Sequence, residues 1–184
     1  DTDIKDDFHG FDGPIPVRRH KPETWSPLQV AFNQSCLDSG YPETYDHNNP
    51  DSTGIGPFPM NNPDGVRMST ALTYINPNRH RLNLTIRANV QVRRILFDGQ
   101  RATGVEVDSG GDRFILESDV IVLSAGAIAS PQLLMLSGIG PESQLQSLGI
   151  PVVKDLPGVG QNLRDHPLVP VRVAVKDDFL LDPN

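Results

Sequence analysis

Asp165 and His166 stand side by side near the end of the chain, an acid and a base of the kind that relay a proton. Adjacent residues on a loop rarely point at one another, and no serine is tied to them, so a structural role is the preferred reading. Asp46, His47, Asn48 and Asp51 offer oxygen and nitrogen donors to a metal ion. No repeated His or carboxylate spacing completes such a site, and Asx residues beside Pro and Gly build turns. The single cysteine, Cys36, follows A-F-N-Q-S in a helical stretch. With no activating base in view it reads as a small core residue rather than a nucleophile. Gly54-Ile55-Gly56 has no strand before it and no helix after it, so it is not a phosphate cradle. No residue is assigned as catalytic, and none as a metal ligand.

The chemistry instead centres on Ser118 to Gly140, S-D-V-I-V-L-S-A-G-A-I-A-S-P-Q-L-L-M-L-S-G-I-G. Val120 to Leu123 form an unbroken, mostly β-branched apolar run, which predicts a short strand buried on both faces. Ser124, Ala125, Gly126 and Ala127 are small enough for a sharp turn and for close approach of a flat group. Ser130 before Pro131 predicts a helix N-cap followed by proline at the first helical position, and Gly138 and Gly140 end the helix. Strand, small-residue turn and helix N-terminus are how α/β folds present backbone N–H groups to a cofactor. An ordinary strand–turn–helix with no ligand fits the same residues.

This stretch closely resembles the second signature of the glucose–methanol–choline (GMC) family of FAD-dependent oxidoreductases. Pro141, Leu145, Gly149-Ile150 and D-L-P-G-V-G-Q-N-L-R-D-H-P from Asp155 to Pro167 fit as well. Looser resemblance covers most of the chain: H-G-F-D-G-P, a single helix ending in G-Y-P, D-H-N-N-P-D, and D-G-V-R-M-S-T-A-L-T-Y-I follow the family's order. The resemblance implies FAD as cofactor. It also implies that Val90 contacts the adenine through its backbone, and that Ser124, Ala125 and Gly126 form the turn beside the ADP portion. The family's strand–G-x-G-x-x-G–helix does not occur here. Its histidine beside the flavin, and the His or Asn that orients the alcohol, are expected beyond residue 184. The chain is therefore expected to be an internal fragment, inactive by itself, whose partners are the remaining segments of the parent enzyme and a small-molecule alcohol.

The elements that must position these residues follow the chain in order. Trp25 to Ser39 predicts a helix with Ser26 as N-cap, Pro27 at its first position, Leu28, Val30, Ala31, Phe32 and Leu37 on an apolar face, and Gly40 as its stop. Residues 41–68 are loop-rich, and Ser69 to Ile75 predicts a short helix stopped near Pro77. A weakly alternating strand is expected over 82–90. A meander of three antiparallel strands follows, with turns at Asp98-Gly99 and Ser109-Gly110-Gly111. A short helix then closes at Gly149, and Val169 to Val175 alternates as a last strand. The fold class is α/β with α+β elements: part of a Rossmann-like FAD-binding domain carrying an antiparallel meander, plus part of the GMC substrate domain. The expected division is 1–81 substrate domain, 82–164 FAD domain and 165–184 returning to the substrate domain.

The 184 residues hold 16 glycines and 17 prolines, well above the usual combined share of about 12%. A net charge of −7 argues against a nucleic-acid partner. The basic clusters Arg18-Arg19-His20-Lys21 and Arg79-His80-Arg81 read as solvated loop charges. No run approaches the ~18 apolar residues of a membrane span. Asn33-Gln-Ser35 and Asn83-Leu-Thr85 fit the glycosylation pattern, a triplet that arises often by chance. The compartment is left open with the cytoplasm favoured, and homo-oligomerisation is left open. The favoured function is oxidation of an alcohol to a carbonyl with hydride transfer to flavin, in the choline dehydrogenase-like branch. The rivals are a hydroxynitrile lyase on the same fold and a stand-alone α/β binding domain without flavin. On the fragment reading, the apolar strand at Val120 is expected to be exposed, because its sheet neighbours are missing.

Overall fold

The computed structural model describes residues 1–170 together with 172, 174 and 176. The strand expected over 169–175 lies partly, and the return over 165–184 mostly, outside the described residues. The chain divides into two compact units, one built on Asp1–Thr85 and one on Ile86–Pro170.

In the first unit, Ser26 caps α1 (Pro27–Asp38) through a reciprocal pair of bonds. The Gln29 amide donates to Ser26 Oγ at 3.3 Å, and the Ser26 amide donates to Gln29 Oε1 at 2.8 Å. The helix stops at Gly40, whose φ of +89° only glycine adopts freely. Its expected apolar face does not reach a core: Leu28, Val30 and Phe32 remain exposed, and Cys36 is half-buried. A two-residue ladder pairs β1 (Arg18–Arg19) with β2 (Pro59–Met60). A π-helical turn, Ala71–Ile75, runs into α2 (Asn76–Asn78), so the helix stops one residue past Pro77.

Gly54 and Gly56 are required by close approach. They flank the parallel bridge Glu43↔Ile55. A Cβ on either would stand 2.0 Å from the Pro42 carbonyl oxygen or 1.6 Å from that of Thr44.

One basic residue departs from its expected solvated role. Arg19 is buried, with its side chain 0% exposed, because three carboxylates surround it. Its guanidinium donates to Asp1 at 3.0 Å, Asp3 at 2.9 Å and Asp46 at 2.6 Å. His9 is buried beside it, with Nδ1 2.6 Å from Asp6 Oδ1 and Nε2 3.1 Å from Asp46 Oδ2. Residues 1–9, β1 and the loop at 46 are thereby tied into one ionic cluster.

The cluster makes this unit acid-sensitive. The His9 hydrogen bond and the Phe8 amide hold the Asp6 carboxyl below its ordinary value of 3.8. Burial raises the Asp46 carboxyl, but the Asn48 amide and the Arg19 guanidinium outweigh it and the net shift is downward. Groups depressed on folding add stability above their unfolded value and lose it as pH falls through the folded one. The unit is expected to weaken below about pH 4 and to be insensitive to these groups at neutral pH. Asp46→Asn should lower stability at pH 7 and flatten the acid slope. The unfolding midpoint against pH, followed by fluorescence of the single tryptophan, Trp25, checks both.

In the second unit, β3 (Gln91–Asp98), β4 (Arg101–Ser109) and β5 (Asp112–Glu117) form the expected antiparallel meander in that order. Gly104 sits where a Cβ would lie 2.5 Å from the Leu116 carbonyl oxygen, so the strands can pair closely only with glycine there. α3 (Gly126–Leu136) follows, then β6 (Ile139–Gly140), α4 (Glu142–Ser147) and β7 (Lys154–Asp155), with β6 and β7 paired in parallel. Among the described residues, the buried apolar side chains are Ile95, Val107 and Leu145, all in this unit.

Three local expectations are corrected. No strand forms over 82–90, and none forms over 120–123. Val120 and Val122 are 76% and 81% exposed, as the fragment reading expects, because no strand among the described residues lies beside them to complete a ladder. α3 begins at Gly126 instead of after Ser130, which places Pro131 inside the helix. Without an N–H, Pro131 cannot donate to the Ala127 carbonyl four residues back.

Candidate functional site

A cavity of about 650 Å³ opens in the second unit between the end of the loop before β3, the 121–125 segment and α3. Val90, Val92 and Ile95 line one side, and Ile121 to Ala125 another. Ala129, Gln132, Leu133 and Leu136 close it from α3. Three of the four residues expected beside a cofactor, Val90, Ser124 and Ala125, therefore meet in one place although 34 positions separate the first two. The fourth, Gly126, opens α3 directly after them with φ of +87°. A Cβ at Gly126 would meet no atom within 4 Å, so it is the backbone conformation, not crowding, that asks for glycine.

Each wall is held by a specific local feature. Asn89, at φ +55°, turns the chain into the meander, whose ladder begins at Gln91, and leaves Val90 one residue outside it. Over 120–123 the exposure alternates: Ile121 and Leu123 are half-buried on the cavity wall, Val122 lines the cavity while staying largely exposed, and Val120 lies outside the lining. α3 and β3 are joined by Ser137, a buried residue missed in the sequence. Its hydroxyl donates to the Leu133 carbonyl at 2.6 Å and accepts the Ile95 amide at 2.8 Å. A buried amide left without its acceptor costs about 1–3 kcal/mol, so this one side chain fixes the spacing of two cavity walls. A serine closing the apolar run Leu133–Leu136, directly before Gly138, was the available signal.

Gly138 completes the frame. At φ +86° it ends α3, and its carbonyl accepts the amides of Val153 at 2.8 Å and Lys154 at 3.1 Å. The volume lies within the range of about 300–1,000 Å³ usual for small-molecule sites. The lining is mostly apolar, with polar side chains only at Gln91, Ser124 and Gln132. That surface suits a flat ring system with polar edges.

The other candidates resolve into local structure. The Asp165 carboxylate accepts the amide of His166 at 2.8 Å, a turn contact and not a proton relay. Asp46 accepts the Asn48 amide and Asn49 accepts that of Asp51, each at 3.0 Å, as Asx turns do. Among the described residues no group of His, Cys, Asp and Glu is arranged to hold a metal ion.

The second unit is thus a mixed α/β unit whose cavity is bounded by a glycine-initiated helix. Comparison with known proteins gives the family. The profile described as GMC oxidoreductase matches residues 2–168, and the chain belongs to that family. It is 48% identical over 160 residues to the mitochondrial choline dehydrogenase of Homo sapiens, covering 86% of this chain and 27% of that protein. It is 43% identical over 169 residues to an uncharacterised GMC-type oxidoreductase of Rhodococcus erythropolis, covering 92% and 34%. Among solved structures, pyridoxine 4-oxidase from Mesorbium loti superposes with a TM-score of 0.75 at 37% identity, over 81% of this chain and 29% of that one. An FAD-dependent oxidoreductase from Chaetomium thermophilum gives 0.74 at 29% identity, over 81% and 26%. The chain thus spans about a third or less of the length of these relatives. The cofactor of the family is FAD. No helix among the described residues is long and apolar enough to cross a membrane.

Proposed function

We propose that this chain supplies part of the FAD site and part of the substrate-domain wall of a longer GMC oxidoreductase that oxidises an alcohol to a carbonyl. The observation that carries the proposal is the cavity on which Val90, Ser124 and Ala125 converge. Its apolar walls and polar rim fit the adenine-bearing end of FAD. In this reading Val90 meets the adenine through its backbone, and the Ser124–Gly126 turn lies along the ADP portion. The first 81 residues belong to the substrate domain, residues 82–164 to the FAD domain, and 165–184 return to the substrate domain.

When bound, FAD supplies the hydride acceptor. The residues here bind and orient: they seat the dinucleotide's nucleotide end against apolar surface and hold it away from water. The proton of the alcohol is taken by a base that these 184 residues do not contribute, so the 20.1 kDa chain by itself is inactive. The relatives include choline dehydrogenases, which makes choline the first alcohol to try.

The test is anaerobic addition of alcohols to the purified full-length protein. Bleaching of its visible flavin absorbance by an alcohol is the expected result. Bound flavin that no alcohol bleaches would favour a lyase on the same fold, and absence of flavin would leave a binding domain.

A further inference from the structure

We infer that Ser130 is a positioning residue for the cofactor, acting by locking the Ser124–Gly126 turn in the conformation that faces the cavity. The inference rests on the FAD reading of that cavity. The amide of Ala125 donates to Ser130 Oγ at 3.1 Å, a bond running back five residues from the second turn of α3. Ala125, not Ser130, lines the cavity. The serine therefore acts on the ligand through the turn.

The surrounding chemistry explains why the turn needs this bond. The first amides of a helix have no intrahelical acceptor. An N-cap side chain usually supplies one, and α3 has no such cap: its flanking residue is Ala125, whose methyl accepts nothing. Pro131, inside the helix and without an N–H, cannot donate the bond that would otherwise run back to the Ala127 carbonyl. Gly126, at φ +87°, is the residue with most freedom to let the turn swing. Among the described residues, Ser130 is the side chain that bonds to the backbone of 121–129. Ser130 directly precedes Pro131, so the same dipeptide removes a helix bond and replaces it with one aimed at the ligand-facing turn.

The experiment compares wild-type, Ser130→Ala and Ser130→Thr forms of the full-length protein. FAD affinity of the apoprotein is read by flavin fluorescence, and amide exchange is read at Ala125. Ser130→Ala is expected to weaken FAD binding about tenfold, the worth of one neutral hydrogen bond, and to speed exchange at Ala125. Ser130→Thr keeps the hydroxyl and should stay within about threefold of wild type. Equal FAD affinity in wild type and Ser130→Ala overturns the inference and leaves the FAD reading standing. A loss in Ser130→Ala that Ser130→Thr shares overturns it too, since the hydroxyl would then not be the agent. If the wild type takes up no FAD, both fall.

Discussion

Gly138→Ala is expected to lower the stability of the second unit by about 2–4 kcal/mol, the sum of a left-handed backbone penalty and a steric clash. Alanine at φ +86° brings its Cβ too close to its own carbonyl. That Cβ would also lie 2.4 Å from the Pro151 carbonyl oxygen and 2.9 Å from Val153 Cγ2. Neither neighbour can yield without breaking the bonds that Val153 and Lys154 make to the Gly138 carbonyl. The consequence reaches the cavity, because Ser137, which ties α3 to β3, is the preceding residue. Hydrogen exchange read by mass spectrometry in the full-length protein should show protection lost across 137–155 and at Ile95, while the first unit keeps its own. Wild-type protection throughout would mean that the segment from 151 to 153 is free to move aside.

Ala125→Phe is expected to abolish FAD uptake, by at least about a hundredfold in affinity, while leaving the fold intact. Ala125 is an exposed residue on the cavity wall, so a larger side chain meets open space instead of packed atoms. The ring would occupy the volume that the adenine needs, and excluded volume costs a ligand more than the loss of any single contact. Equilibrium dialysis of the apoprotein against FAD, with the melting curve of the apoprotein as control, checks both halves. Unchanged affinity would place the dinucleotide elsewhere.

Local structure was legible wherever the determinants were local. Ser26, Pro27 and Gly40 bound α1, and the turns at Asp98-Gly99 and Ser109-Gly110-Gly111 delimit the meander, because caps and turns are decided by neighbouring residues. The signature stretch misled in two ways. Its apolar run has the composition of a buried strand, but burial depends on what lies alongside, and no strand among the described residues does. Ser130-Pro131 has the composition of a helix start. Gly126 opens the helix earlier, since its positive φ turns the chain five residues sooner. Arg19 was illegible for a third reason. Its burial follows from Asp1, Asp3 and Asp46, the last of them 27 positions away, and no local pattern announces a contact at that distance. Glycine spacing alone also gave no sign that Gly54 and Gly56 serve a backbone bridge. At the candidate site, Val90 was reached only through resemblance to a family, whereas the turn at 124–126 could also be read from its small side chains.

Photolabelling tests the central claim most directly. The full-length protein would be loaded with an FAD analogue carrying an azide on the adenine ring, irradiated and digested, and the labelled peptides mapped by mass. Label is expected on peptides holding Val90 to Val92 or Ser124 to Leu133, with suppression by excess FAD. Label that FAD suppresses but that falls only on peptides outside the cavity would show that the adenine binds elsewhere, and the assignment of this site would be wrong.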